Sequence, residues 1–135
     1  MKHLALAATL LITLSANTCK QGGDMTNLAD KKWVFQSLAG KALDLPAGTE
    51  APWLQLAGDQ LQGFGGCNSL MGAVKQEGTA LNFSKVGSTK KYCEGVQPTE
   101  NAIMGMLGRV ESFKLEKGLL KLIGGGQELA ALKAE

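Results

Sequence analysis

The side chains of this chain that could do chemistry are few: three cysteines (Cys19, Cys67 and Cys93), one histidine (His3) and scattered carboxylates. His3 lies in a leader expected to be removed on export. The mature protein then lacks the imidazole of a Ser-His-Asp or Cys-His nucleophile system and of a His-ligated zinc site. Cys67 and Cys93 are too far apart for a C-x-x-C dithiol. Asp44, Glu50, Asp59, Glu77 and Glu94 would have to converge in space for glycoside hydrolysis. Nothing in their spacing suggests it, and solvated surface charge is the plainer reading. Gly63-Phe64-Gly65-Gly66 has the glycine content of a phosphate cradle but runs into Cys67-Asn68, without the Lys-Ser/Thr continuation into a helix. These residues point to a non-enzyme with no cofactor and no metal.

The elements that must position the cysteines begin with an address. Met1-Lys2-His3 is a short basic region, and Leu4 to Leu14 is apolar except for Thr9 and Thr13. A helix of that length rises only about 16 Å, half a bilayer core, so 1–18 reads as a secretion signal rather than a membrane anchor. Cys19 is the candidate lipidation site of a bacterial lipoprotein. Ala16-Asn17-Thr18 before it departs from the usual lipobox, which places Leu three residues upstream and Gly or Ala next to the cysteine. Cleavage after Ala16 without lipid is the rival, disfavoured because Leu14 is too large for an A-x-A site. Residues 19–31, beginning Cys19-Lys20-Gln21-Gly22-Gly23-Asp24, have the composition of a flexible tether. Lys20 after the lipid cysteine fits, under the enteric sorting rule, an outer-membrane address facing the periplasm. The expected location is therefore the cell envelope, with the membrane as a partner through the N-terminal lipid.

If Cys19 carries lipid, Cys67 and Cys93 remain as an even pair in an oxidising compartment, the expected condition for a disulfide. Two buried free thiols are the alternative. Glycines before Cys67 suit a strand entering a tight turn or bulge, with Gly65 and Gly66 tolerating positive φ and Asn68 supplying local hydrogen bonds. Such a bend would hold Cys67 at a fixed place on a sheet.

Formal net charge is +2, from 14 basic and 12 acidic residues spread along the chain, so no stripe argues for nucleic acid. Aromatics at 5% and 18 glycines favour many short strands and turns. Strands are expected at 32–38, 53–57, 60–64, 70–75, 80–84, 112–116, 119–123 and 128–133, with a short extended piece at 43–45. Trp33 and Phe35 share one face, as core anchors more readily than as ligand-stacking rings. Ile103, Leu107 and Val110, with Met104 beside them, mark one amphipathic helix over about Thr99–Val110. Pro98 and Thr99 stand at its start and Glu100 at the positive end of its dipole. Its methionines suit core gaps more readily than a binding groove. Gly105 and Gly108 weaken a helix and suggest close approach to the sheet. The fold class is α+β, mostly β: a small antiparallel meander or barrel-like sheet with one helix, spanning 32–135.

These features together resemble the META domain family, which includes the heat-shock lipoprotein HslJ. The resemblance runs from about Lys32 to Ala134. It rests on the Trp33 strand, the Gly66-Cys67-Asn68 triplet, Ser88-Thr89 with Cys93 four beyond, the helix after Pro98 and the closing Leu-x-Leu hairpin. Ala73 and Lys91 stand where the family often has an aromatic and a methionine. The resemblance implies a β-rich envelope domain associated with stress response and antibiotic tolerance. An action consistent with it is binding a protein or lipid-like partner through the β surface or a cavity under the helix. The alternative is a small-molecule-sequestering or inhibitor module that uses an apolar cavity under the helix. Lys90 and Lys91 beside Tyr92 could touch headgroups or a partner, or form only a solvated turn.

Overall fold

The computed structural model describes residues 28–135; the expected secretion signal at 1–18 and the expected lipidation site Cys19 lie outside the described residues. Ten elements follow in chain order: β1 (Lys32–Leu38), β2 (Lys41–Ala42), β3 (Trp53–Ala57), β4 (Gln60–Phe64), β5 (Ser69–Glu77), β6 (Ala80–Ser88), α1 (Gln97–Leu107), β7 (Ser112–Glu116), β8 (Leu119–Gly124) and β9 (Gln127–Ala134). Every strand pairs antiparallel with its neighbour in the order β2-β1-β3-β4-β5-β6-β7-β8-β9, and β1 also pairs with β9. That last pairing closes the sheet into a barrel. β2 is a two-residue flap on the end of β1 and stands outside the ring.

Short polar turns make the hairpins. Lys117-Gly118 and Gly125-Gly126 both have two successive positive φ values, the geometry whose twist matches the flanking strands. Period-2 alternation then sends one set of side chains inward: Trp33 and Phe35 from β1, Leu54 and Leu56 from β3, Leu120 and Leu122 from β8. Register shifts between Phe35 and Ser37, Met71 and Ala73, and Leu122 and Ile123 bend the strands around the ring. The interior is filled. Leu81, Ile103, Leu107, Leu122, Ala130 and Leu132 have no measurable solvent exposure, whereas a cavity able to admit water would leave its lining accessible.

The barrel is weakest where β6 meets β7. One Cα pair, Ala80 with Ser112, joins them, supported by Leu81 N–H to Glu111 O and Phe113 N–H to Thr79 O. The chain between the two strands fills the rest of that gap. From α1, Ile103, Met106 and Leu107 enter the same core as the strands, and Asn82 Nδ2 donates to Val110 O at 3.2 Å.

Several expectations change in the structure. The helix is Gln97–Leu107, so it starts before Pro98 and stops short of Val110, which is buried just after the turn at 108–109. Thr99 does not cap it: the N-cap is Val96, without a side-chain bond, and Thr99 Oγ1 reaches Asp44 O at 3.3 Å. A Cβ on Gly105 would meet nothing within 4 Å, so close packing does not explain that glycine. The extended piece at 43–45 is irregular, and the strand sits at Lys41–Ala42 instead, because Ala39-Gly40 turns the chain one step earlier. Strand β6 continues to Ser88 past a bulge near Lys85, whose φ is 52°. Leu28 to Lys31, assigned from composition to the tether, belong in part to the packed domain. Leu28 is 1% exposed, its carbonyl accepts the Trp33 indole N–H at 2.9 Å, and Ala29 bridges Leu56. Trp33 is thus a core anchor whose one polar atom is satisfied.

Candidate functional site

Two pieces of irregular backbone meet the first turn of α1: the bend 65–68 between β4 and β5, and the loop 89–96 after β6. Their meeting is covalent as well as polar, since Cys67 and Cys93 form a disulfide with Cα atoms 5.8 Å apart. Next to the bridge, Asn68 is 2% exposed and uses its whole amide. Its Nδ2 donates to Lys91 O at 2.9 Å and to Glu100 Oε1 at 2.6 Å. Its Oδ1 accepts from Lys91 N at 2.7 Å and from Thr89 Oγ1 at 2.9 Å. Two donors and two acceptors are all that an asparagine side chain has. These bonds span more than twenty positions of sequence, so the expectation of local hydrogen bonding is corrected: Asn68 is a cross-link. Thr89 Oγ1 also accepts from Ser69 N at 3.2 Å.

Glu100 is the other half of the clamp, and it too is only 2% exposed. Its Oε2 accepts from the backbone N–H groups of Asn68 at 2.6 Å and Cys67 at 3.2 Å. Its Oε1 takes the Asn68 amide and, at 3.4 Å, Gln97 Nε2. Among the described residues no cation pairs with it. Burial pushes its pKa up, but the bonds from the Asn68 side chain, the Asn68 and Cys67 backbone and Gln97 outweigh this and hold it below the ordinary glutamate value. The site therefore keeps a buried carboxylate ionised by N–H dipoles alone.

The glycines around Cys67 now have separate reasons. Gly66 has a φ of 106°, and a Cβ there would lie 2.8 Å from Val96 Cγ1. Gly65 is not in the positive-φ region; a Cβ there would lie 2.7 Å from the Glu100 side chain. One glycine turns the chain and the other makes room for the carboxylate.

Of the motif residues singled out in the sequence, Gly66, Cys67, Asn68, Thr89 and Cys93 come together. Ser88 ends β6 opposite Leu70, and among the described residues its hydroxyl has no partner. Glu100 was missed as a site residue and assigned to the helix dipole. A signal did exist: Glu100, Ile103 and Leu107 recur at i, i+3 and i+7, which puts the carboxylate on the buried face. Among the described residues no three Asp, Glu, His or Cys side chains come together as a metal site. Beside the clamp, the loop 88–92 and the exposed side of α1 enclose an open cleft of about 340 Å³, with Lys90, Lys91, Tyr92, Gln97, Asn101 and Met104 in its walls.

Fold and site define a class: a small closed β-barrel in which a disulfide and a buried Asn-Glu pair fasten one bend, one loop and one helix. The chain belongs to the META domain family, whose domain matches residues 26–135. It is similar to a protein from Burkholderia xenovorans solved by NMR, with 22% identity and a TM-score of 0.65, covering 100% of this chain and 98% of that one. A second NMR structure is similar at 21% identity and a TM-score of 0.62, covering 79% of this chain and 92% of the other. At that identity they share the fold. No curated protein matches the chain.

Proposed function

We propose that this is a non-enzymatic, envelope-anchored lipoprotein whose META domain binds a protein or lipid-like partner, in the stress or antibiotic-tolerance setting that the family resemblance implies. One observation carries the reading. The chemistry of the clamp is spent on itself, since Asn68 and both oxygens of Glu100 are occupied by protein groups and the two cysteines are bonded to each other. What the clamp leaves outward is a rigidly held loop carrying Lys90, Lys91 and a tyrosine that is 78% exposed. Binding surfaces gain affinity when their shape is fixed beforehand. A lipid on Cys19 would keep that surface near the membrane. Sequestration of a small molecule inside the barrel loses its support, because the interior is packed with side chains.

A photo-reactive amino acid at position 92, compared with one at exposed Leu115, tests the binding surface in envelopes of the producing bacterium. Cross-linked product from 92 and none from 115 is expected. Equal or no cross-linking at both positions would contradict it. Anchoring is checked separately, by radiolabelled palmitate incorporation that Cys19→Ser should abolish.

A further inference from the structure

We propose that the cleft between loop 88–92 and α1 binds a phosphorylated saccharide, free or as the headgroup of a glycolipid. This rests on reading that face as the ligand surface and names the chemistry it would take. The polar groups of the cleft divide into used and unused sets. Glu100, the one acid in its walls, is buried and has both oxygens occupied, and Thr89 is held between Asn68 and Ser69. Among the described residues, the Lys90 and Lys91 ammonium groups, the Ser88 hydroxyl and Asn101 Nδ2 make no hydrogen bond or ion pair. Those four groups offer donors, two of them charged, and they suit an anion.

Two further features select a sugar phosphate over a bare anion. The cleft, at about 340 Å³, is several times larger than a phosphate needs. Tyr92 and Met104 line it with apolar surface, which suits the face of a pyranose ring. Two unpaired cations in the walls are too few for a polyanion such as nucleic acid. A broader cleft of about 430 Å³ beside Trp53, Phe64 and Met71 lacks the free cations: the Trp53 indole N–H is taken by Glu50 at 3.1 Å, and Lys32 lies over the ring and pairs with Glu135 at 3.2 Å.

The test is an NMR titration of the exported protein, disulfide intact, with glucose 6-phosphate, glucose or inorganic phosphate, each to about 10 mM, a range that reaches weak binding. Saturable amide shifts over 88–92, 97 and 101 are expected with the sugar phosphate, at least about tenfold tighter than with glucose or phosphate. Lys90→Ala with Lys91→Ala should weaken binding about tenfold, and Tyr92→Ala should do likewise, at unchanged melting temperature. No saturable shift, equal affinity for inorganic phosphate, or insensitivity to the lysine pair would each overturn the proposal. Sedimentation with phosphatidylcholine vesicles, with or without a glycolipid carrying a phosphorylated hexose headgroup, separates the two sources. Vesicle binding stronger than that of the soluble sugar phosphate marks a headgroup site, and weaker binding marks a free sugar phosphate. Cross-linking from position 92 without any sugar-phosphate response would sink this inference and leave the broader binding role standing.

Discussion

Two regions of this molecule are held by different physics. The hairpin body, β1 with β7 to β9, is built from short alternating strands and apolar packing: tight turns set the β7-β8-β9 hairpins locally, and β1 joins them through regular backbone pairing with β9. The clamp at 65–68, 89–96 and 97–100 has little regular structure, and it is held by one disulfide and a ring of buried hydrogen bonds across more than twenty residues. A hydrophobic body tolerates loss of one contact by the amount of surface lost. A fully satisfied polar clamp fails as a unit, because removing one partner leaves others buried and unpaired.

The contrast can be broken or sharpened in order of expected effect. Leu122→Ala, which empties a fully buried position in the body, should cost about 2–5 kcal/mol in denaturant melts, with the function of the cleft preserved. Cys67→Ala should cost about 3.5 kcal/mol without reductant, the chain-entropy value for a loop of this size. Adding Cys93→Ala should cost little more, since the two sulfurs act as one unit. Equal melting temperatures for wild type and Cys67→Ala would mean that the bridge does not hold the fold. Asn68→Ala should cost about 2–3 kcal/mol, and the loss should be strongly non-additive with Glu100→Ala in a double-mutant cycle. Additivity would dissolve the clamp into separate contacts. The smallest effect has the opposite sign: Gly105→Ala, in open space within α1, should raise stability by about 0.5–1 kcal/mol.

The same division decided what could be read from the residues. Turns at Gly58-Asp59, Gly78-Thr79 and Lys117-Gly118 fix hairpin registers locally, so β3, β4, β7 and the ends of β5 and β6 were legible. The expected export and the cysteine count were enough to anticipate the bridge, but not what surrounds it. Asn68 looked like a turn residue, since asparagine in a glycine-rich bend usually bonds its own neighbourhood; its partners at Thr89, Lys91 and Glu100 are set by closure of the barrel. Glu100 looked like a dipole-facing first-turn acid for the same reason. Leu28 was hidden because one leucine in a polar run carries no period, and Val110 extended the apparent helix because a buried residue just after the turn falls on the same stripe.

The central claim is that an ionised, buried Glu100 ties the bend, loop and helix together. Its pKa is lowered in the folded state, so its ionised form favours folding, and that stability is present above the unfolded glutamate value, about 4.3, and is lost as pH falls through the lowered folded value. Measuring unfolding free energy for wild type and Glu100→Gln from pH 7 down to about pH 2.5 isolates this one group. The account predicts a wild-type advantage of about 1–3 kcal/mol at neutral pH that shrinks steadily below about pH 4.3. A gap that stays constant across the range, or no gap at pH 7, would contradict it.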